Sequence, residues 1–168
     1  MIRQWLVLLS GCLLWTCPSV RGQTLSLSER ATGATSVTAE VGEAVEIAVL
    51  ADLGRFSAAG VSLYIRIPTE SCSVVDRDKD GHSGVQPFRP GSLFSGGMEA
   101  ENELLTAAVL PSLLPDQQML VYSVVLGPGN DRSRRGEGLV ATFALRLTAA
   151  VEDLQIAVES TPIHDTRL

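Results

Sequence analysis

Short runs in which apolar and polar residues alternate recur about every ten to fifteen residues along this chain. In the run 60–67 the apolar residues take every second position, and Ser62, Tyr64 and Arg66 lie between them. A period of two with one apolar face is typical of β-strands that pack on one side only. Clusters of Gly, Pro, Asp and Asn separate the runs. The pattern therefore predicts an all-β sandwich or barrel.

The predicted strands differ in how clear their pattern is. Their ranges are 25–28, 36–41, 44–51, 60–67, 73–75, 91–94, 104–110, 119–126, 139–148 and 154–159. The segment 98–110 is ambiguous, because its acidic first half has a high helix propensity and would suit the start of a helix. We interpret residues 98–103 as a short helical turn or loop and the rest as a strand. Alternation also predicts that Cys72 points inward.

The first 22 residues have the pattern of a secretory signal. An apolar run at 5–15 follows a short positive region, and it is too short for a stable membrane anchor. We expect cleavage before Gln23, which leaves residues 23–168 as a single domain. The alternative is a lipoprotein signal, since the four residues ending at Cys12 have the types of a lipobox. Either pathway places the domain outside the cell or in the cell envelope.

Composition narrows the choice of partner. The leader holds two Arg residues, Arg3 and Arg21, and no acidic residue, so its removal changes the net charge from −6 to −8. An acidic domain is repelled by phosphate backbones, which disfavours nucleic acid as a partner. Both Trp residues lie in the leader, and Cys72 is the only cysteine after it. A lone cysteine can form neither an intramolecular disulfide nor a cysteine-based zinc site.

Several segments resemble one known family, the cohesin modules. They are the strand and turn at 60–76 (GVSLYIRIPTESCSVVD), the segment 90–96 (PGSLFSG), the strand start at 136–143 (GEGLVATF) and the turn at 41–43 (VGE). The third is the most specific match. The chain departs from the family where Val61 and Leu63 replace aromatic residues, where Ile67 precedes Pro68, and where a polar loop at 76–87 looks like an insertion.

The resemblance implies an all-β, antiparallel β-sandwich, a nine-stranded jelly roll that works as a non-catalytic, secreted protein-interaction module. Its partner would be a dockerin-like module or a cell-envelope component, in an extracellular or envelope assembly with a link to polysaccharide degradation. The outward residues Ser62, Tyr64 and Arg66 would contact that partner, or else form an ordinary solvated face. A carbohydrate-binding module on the same sandwich is the alternative function, although the lack of Trp after the leader favours a protein partner. A third hypothesis is a domain with a purely structural role in the cell envelope.

One acidic motif has the spacing of a calcium loop. Asp76, Asp78 and Asp80 precede Gly81, so three carboxylates could surround one hard cation. The twelfth position of such a loop is Pro87, where an EF-hand has a bidentate Glu. The motif therefore predicts at most a modest calcium site, and the alternative is a solvated turn.

Catalytic motifs are weak, and we expect no enzyme activity. The run 81–84 (GHSG) lacks the last Gly of a nucleophile elbow, and a second His occurs only at His164. Glu99, Glu101 and Glu103 could supply a carboxylate pair for glycoside hydrolysis, but such a polar run is more often a solvated face.

Overall fold

The computed structural model describes the backbone of residues 5–9 and, in full, residues 23–78, 84–128, 132–160 and 166–168. These residues form eleven β-strands and no helix. The strands are β1 (Trp5–Leu9), β2 (Thr24–Glu29), β3 (Ser36–Ala39), β4 (Ala44–Asp52), β5 (Gly60–Pro68), β6 (Cys72–Val74), β7 (Arg89–Pro90), β8 (Met98–Thr106), β9 (Gln117–Val125), β10 (Glu137–Leu147) and β11 (Asp153–Val158).

Two sheets face each other across an apolar core. One has the strand order β3-β1-β11-β5-β9-β8, and the other has the order β2-β4-β10-β6 with β7 attached to β10. The paired strands are antiparallel except β1 and β11, which are parallel. Ile47 and Phe143 of the second sheet and Leu63 and Leu120 of the first lie in one buried cluster. The predicted antiparallel sandwich is confirmed.

The strand count differs from the nine that the resemblance implied. Among the described residues there are eleven strands, and the two that no predicted range includes are β1 and the two-residue β7. β1 lies within the segment predicted to be a leader, which makes its place in the sheet an unexpected feature of the fold.

The prediction of a turn or loop at 98–103 is wrong. These residues are the larger part of β8, which pairs along its length with β9 and has a register shift between Glu99 and Glu101. Helix propensity is a weak preference that cross-strand pairing overrides. The strand also ends earlier than expected, at Thr106, and a turn follows.

The prediction of a strand at 91–94 is also wrong, because the strand pairing there ends at Pro90 and a turn follows. The backbone N–H groups of Gly91 and Leu93 donate to the carbonyls of Val140 and Leu139, each at 2.8 Å. They bond to β10 where its register with β4 shifts. A Cβ on Gly91 would collide with the backbone of Leu139. Two of the motifs quoted above, 90–96 and 136–143, therefore meet in space and need each other's backbone.

Cys72 points inward, as predicted, and is 2% exposed. Burial raises the pKa of its thiol to about 11. The side chain is a core residue of the sandwich and is protected from solvent.

In the parts of the chain that the structure describes, no helix is long and apolar enough to span a bilayer.

Candidate functional site

The predicted partner-binding residues share one surface of the first sheet. Ser62, Tyr64 and Arg66 alternate along β5 with buried residues, and each is half-buried. Their neighbours across β9 are Ser123, Val121 and Met119, and those on β8 are Glu101, Glu103 and Leu105. On the other side of β5, Arg66 pairs with Ala157 of β11. We call this surface of β8, β9, β5 and β11 the outer face.

The loop between β8 and β9, residues 107–116, covers the middle of the outer face. Leu113, Met119 and Val121 form a small buried cluster, and Tyr64 and Leu105 pack against it. β9 is consequently buried on both of its sides. Part of the Tyr64 ring is therefore committed to packing within the protein, and the outer face is not the bare sheet surface that alternation in β5 suggests.

Arg66 forms an ion pair with Glu159, the residue that follows β11. Its Nη2 lies 2.8 Å from Oε1 of Glu159, and the two side chains are 39% and 13% exposed. The backbone N–H of Glu159 donates to the carbonyl of Tyr64 at 2.7 Å. The Nε atom of Arg66 is buried and has no hydrogen-bond partner. Because Glu159 neutralises it, Arg66 does not make the outer face basic.

Acidic residues surround the rest of the outer face. Glu101 and Glu103 are exposed on β8, the edge strand, and Glu101 accepts a hydrogen bond of 2.9 Å from the hydroxyl of Ser123. Asp116 and Asp153 line a hollow of about 500 Å³ next to Arg66 and Glu159. The surface potential of the outer face is therefore negative, which would attract a basic surface.

Residues 166–168, the last that the structure describes, pair with the edge of β5 that β9 does not occupy. The N–H of Ser62 donates to the carbonyl of Arg167, and the N–H of Arg167 donates to the carbonyl of Ser62, both at 2.9 Å. The hydroxyl of Thr166 accepts from the N–H of Tyr64 at 3.0 Å. A second hollow of about 360 Å³ lies beside Ser62 and includes the exposed Val125. Residues 166–168 thus belong to the border of the outer face.

Aromatic side chains are mainly core residues. Phe88, Phe94, Tyr122 and Phe143 are buried, and the ring of Phe88 lies 5.0 Å from that of Tyr122, measured between centroids. Burial, and secondarily the charge of Glu99, raise the pKa of Tyr122 to about 12.

The other two aromatic residues after the leader, Phe56 and Tyr64, lie on different parts of the surface. The guanidinium of Arg55 lies 5.2 Å from the centroid of the Phe56 ring, and Tyr64 packs on the loop cluster described above. They do not form a common platform of the kind that stacks on sugar rings.

The predicted calcium motif falls partly outside the described residues, since Asp80 and Gly81 are not among them. Oδ1 of Asp76 accepts from the backbone N–H of Gln86 at 3.2 Å, and Asp78 is exposed. Among the described residues, no group of three His, Cys, Asp or Glu side chains is placed to hold a metal ion. In the described structure, Asp76 acts as a hydrogen-bond acceptor at the base of its loop.

The weak catalytic motif also cannot be placed, because His82, Ser83 and His164 lie outside the described residues. The three predicted carboxylates, those of Glu99, Glu101 and Glu103, follow one another along β8. The register shift separates Glu99 from Glu101, and Oε1 of Glu99 accepts from Nδ2 of Asn102 at 3.3 Å.

Sequence reasoning missed Asn102. Its Oδ1 accepts from the N–H of Phe88 and its Nδ2 donates to the carbonyl of Phe88, each at 3.0 Å. The side-chain amide of Asn102 thus satisfies both the N–H and the C=O of Phe88, which lies between β6 and β7. Within a strand, a polar residue at a position that faces the core would indicate such a hydrogen bond. The interpretation of 98–103 as a turn or loop hides this signal.

No family model and no curated protein matches this sequence. Solved structures do match the two-sheet sandwich. A type II cohesin domain from the cellulosome of Acetivibrio cellulolyticus is similar at a TM-score of 0.52 and 17% identity, over 76% of this chain and 75% of that chain. A type II cohesin–X-dockerin complex from the same organism, an N-terminal interface mutant, gives a TM-score of 0.56 and 12% identity, over 98% and 85%.

The fold class of this protein is therefore the jelly-roll β-sandwich. Within that class its fold is the cohesin fold, in a divergent form, and the resemblance drawn from the sequence motifs is confirmed at the level of fold.

Proposed function

We propose that this protein is a non-catalytic protein-interaction module whose docking surface is the outer face. The observation that carries the proposal is that Ser62, Tyr64 and Arg66 lie together on one sheet surface of a cohesin-type fold. One structure of similar fold is a complex of a cohesin with an X-dockerin. That complex supports a dockerin-like module as the partner of this chain.

The charge of the outer face indicates what the partner presents to it. Glu101, Glu103, Asp116 and Asp153 lie around Arg66, which Glu159 already neutralises, and Arg167 adds one cation at the border. A complementary surface carries Lys or Arg residues opposite these carboxylates, because matched potentials steer encounter and suppress wrong partners. We therefore propose a partner with a basic contact surface.

The burial of aromatic side chains supports a protein partner over a polysaccharide. Four of the six aromatic residues after the leader are in the core, whereas Phe56 lies between β4 and β5 and Tyr64 lies on the outer face. Sugar recognition usually needs exposed rings that stack on the sugar. A link to polysaccharide degradation would then come through the assembly that the module joins, and the domain itself would neither bind nor cleave the polymer.

The proposed location is outside the cell or in the cell envelope. The signal-like pattern of residues 1–22 supports it, and so do two solved structures of similar fold, one of them a domain of a cellulosome. Lipid attachment at Cys12 remains the alternative route to the envelope, and metabolic labelling with a palmitate analogue distinguishes the two.

Calcium binding at Asp76, Asp78 and Asp80 stays a prediction. Its direct test is calorimetric titration of residues 23–168 with calcium chloride. Heat and a rise of the melting temperature at millimolar calcium would support the site, and their loss in the variant Asp78→Asn would assign it. No heat and no thermal shift would remove it.

A binding assay tests the proposed function. Immobilised residues 23–168 are presented with a panel of calcium-loaded dockerin modules, and the same protein in solution is run through affinity gels that contain polysaccharides. We expect a module to bind and the gels to leave the migration unchanged. Binding of polysaccharide alone would overturn the proposal in favour of a carbohydrate-binding module.

A pair of charge reversals locates the binding surface. Glu103→Lys reverses an exposed charge on the outer face, and Glu137→Lys makes the same change at an exposed position of β10, in the opposite sheet. We expect the first to weaken binding about tenfold and the second to leave it unchanged. Equal effects of the two variants would contradict the outer face as the docking surface.

A further inference from the structure

A five-residue strand fills a gap in the first sheet. β1 pairs in parallel with residues 153–156 of β11, from Leu6 opposite Asp153 to Leu9 opposite Ile156. On its other side it pairs antiparallel with residues 36–39 of β3. β3 and β11 are not neighbours in the sheet order. We call the gap between them, which β1 occupies, the strand slot.

The first half of β11 depends on what fills the strand slot. β11 pairs with β5 only through Ala157 and Val158. Among the described strands, β1 is therefore the paired neighbour of Asp153–Ile156. Leu154 and Ile156 belong to the core and are 2% and 0% exposed. An empty slot would leave these core residues on a segment with no strand beside it.

β3 depends on the slot in the same way. In the described part of the chain its strand partner is β1, and its last residue, Ala39, is buried in the core. Without β1, both rims of the slot would present unpaired N–H and C=O groups next to apolar side chains. Such groups are costly when unsatisfied, and they are the usual template for an added strand.

The sequence places β1 inside a segment with the pattern of a cleaved secretory signal. Removal of residues 1–22 would take the strand out of the slot. The remaining strands β2 and β4–β11 are each paired within their own sheets. Among the described strands only β3 would then lack a partner, and β3 is itself a rim of the slot, so a second copy of the leaderless chain could lend a strand only by opening its own sheet.

We propose that the strand slot of the leaderless protein accepts an extended apolar segment of a partner polypeptide. The segment has at least five residues and runs parallel to β11 and antiparallel to β3, as β1 does. Backbone hydrogen bonds to both rims supply the affinity, and apolar residues at alternate positions complete the core beside Leu154 and Ile156. This proposal rests on predicted leader removal and is independent of docking at the outer face.

A peptide of the strand itself is the probe. Residues 23–168 are mixed with a synthetic peptide of residues 3–11 that carries two added lysines for solubility, and the control is the same peptide with Val7→Pro. Proline removes a backbone donor and disfavours a central strand position. The readouts are the melting temperature and amide hydrogen exchange by mass spectrometry.

We expect the unaltered peptide to raise the melting temperature by several degrees and to slow exchange at least tenfold in residues 36–39 and 153–156. Exchange in β10 should not change, and the proline peptide should have no effect. A leaderless chain that is unfolded alone and folds when the peptide is added would also support the proposal.

Four results would overturn it. They are the absence of any peptide effect, slow exchange of both rims before peptide is added, a dimer of leaderless chains that protects the rims, and recovery of residues 5–9 in the secreted protein by N-terminal sequencing. Failure of the outer-face variants would not affect these readouts, so the two proposals fail separately.

Discussion

At the scale of single residues, glycine explains why two sequence motifs occur together. Gly91 has no Cβ, and this lets its backbone approach Leu139 and Val140 where the register of β10 shifts. The residues are about fifty apart in the chain, so their contact cannot be derived from local pattern. The motifs could be recognised from the sequence, but the reason for the glycine required the fold.

We predict that Gly91→Ala destabilises the protein by about 2–4 kcal/mol, because the added methyl group overlaps backbone that cannot move aside cheaply. Gly127→Ala is the matched control, since a Cβ there meets nothing within 4 Å. It should stay within about 0.5 kcal/mol of the parent protein. Urea unfolding followed by circular dichroism measures both, and equal effects would contradict the close approach.

The amide of Asn102 offers a second residue-scale test. Asn102→Ala leaves the N–H and C=O of Phe88 without their partner, which should cost about 1–3 kcal/mol. Asn102→Asp keeps an acceptor but loses the donor, so its stability should fall between that of the parent protein and that of Asn102→Ala. Glu103→Gln, at the exposed neighbouring position, serves as the control and should be neutral. A neutral Asn102→Ala in chemical denaturation would show that Phe88 is satisfied in another way.

Two buried groups predict how stability depends on alkaline pH. Burial raises the pKa of Cys72 from 9.0 to about 11 and that of Tyr122 from 10.0 to about 12. The folded protein therefore keeps protons that the unfolded chain loses, and the free energy of unfolding should fall as pH rises from about 9 to 12.

Urea midpoints measured between pH 8 and pH 11 check this dependence. Cys72→Ala and Tyr122→Phe should each flatten the decline, because each removes one of the two groups. A decline that is the same in both variants as in the parent protein would mean that other groups cause it.

At the scale of elements, alternation in sequence was informative where one face of a strand is apolar and the other polar. β5 follows that rule along its whole length, and its Ser62, Tyr64 and Arg66 were placed on one surface correctly. β8 breaks the rule, because it is an edge strand whose acidic residues also suit a helix start. Its pairing with β9 decides the structure, and pairing of this kind cannot be derived from the segment alone.

The loop 107–116 was equally hidden from pattern analysis. It covers β9 through Leu113, so β9 has two buried faces and no alternation in exposure. The candidate site was therefore predictable as a set of outward residues on β5, whereas the cover over its centre was not.

We predict that Leu113→Ala loosens this cover. Removal of a buried leucine side chain should cost about 2–4 kcal/mol and speed amide exchange in the loop and at Met119. Leu114→Ala is the control at the next position, where the side chain is 57% exposed, and it should be nearly neutral. Hydrogen exchange by mass spectrometry separates them; unchanged exchange in Leu113→Ala would contradict a packed cover.

At the scale of the whole molecule, two surfaces offer separate ways of joining an assembly. The outer face is acidic and lies on the β8–β9–β5–β11 side, whereas the strand slot lies at the β3–β11 junction of the same sheet. The class of the fold could be derived from alternation and motifs, since both report on packing. The slot could not, because no sequence pattern predicts that residues 5–9 pair with β3 and β11.

Docking of a protein partner on the outer face can be tested by amide hydrogen exchange of residues 23–168, with and without a dockerin module selected by the binding assay. A partner bound there should slow exchange in β5, β8 and the part of β11 next to Arg66, and leave β2 and β4 unchanged. Protection confined to β2, β4 and β10, or no module that binds, would contradict docking on the outer face.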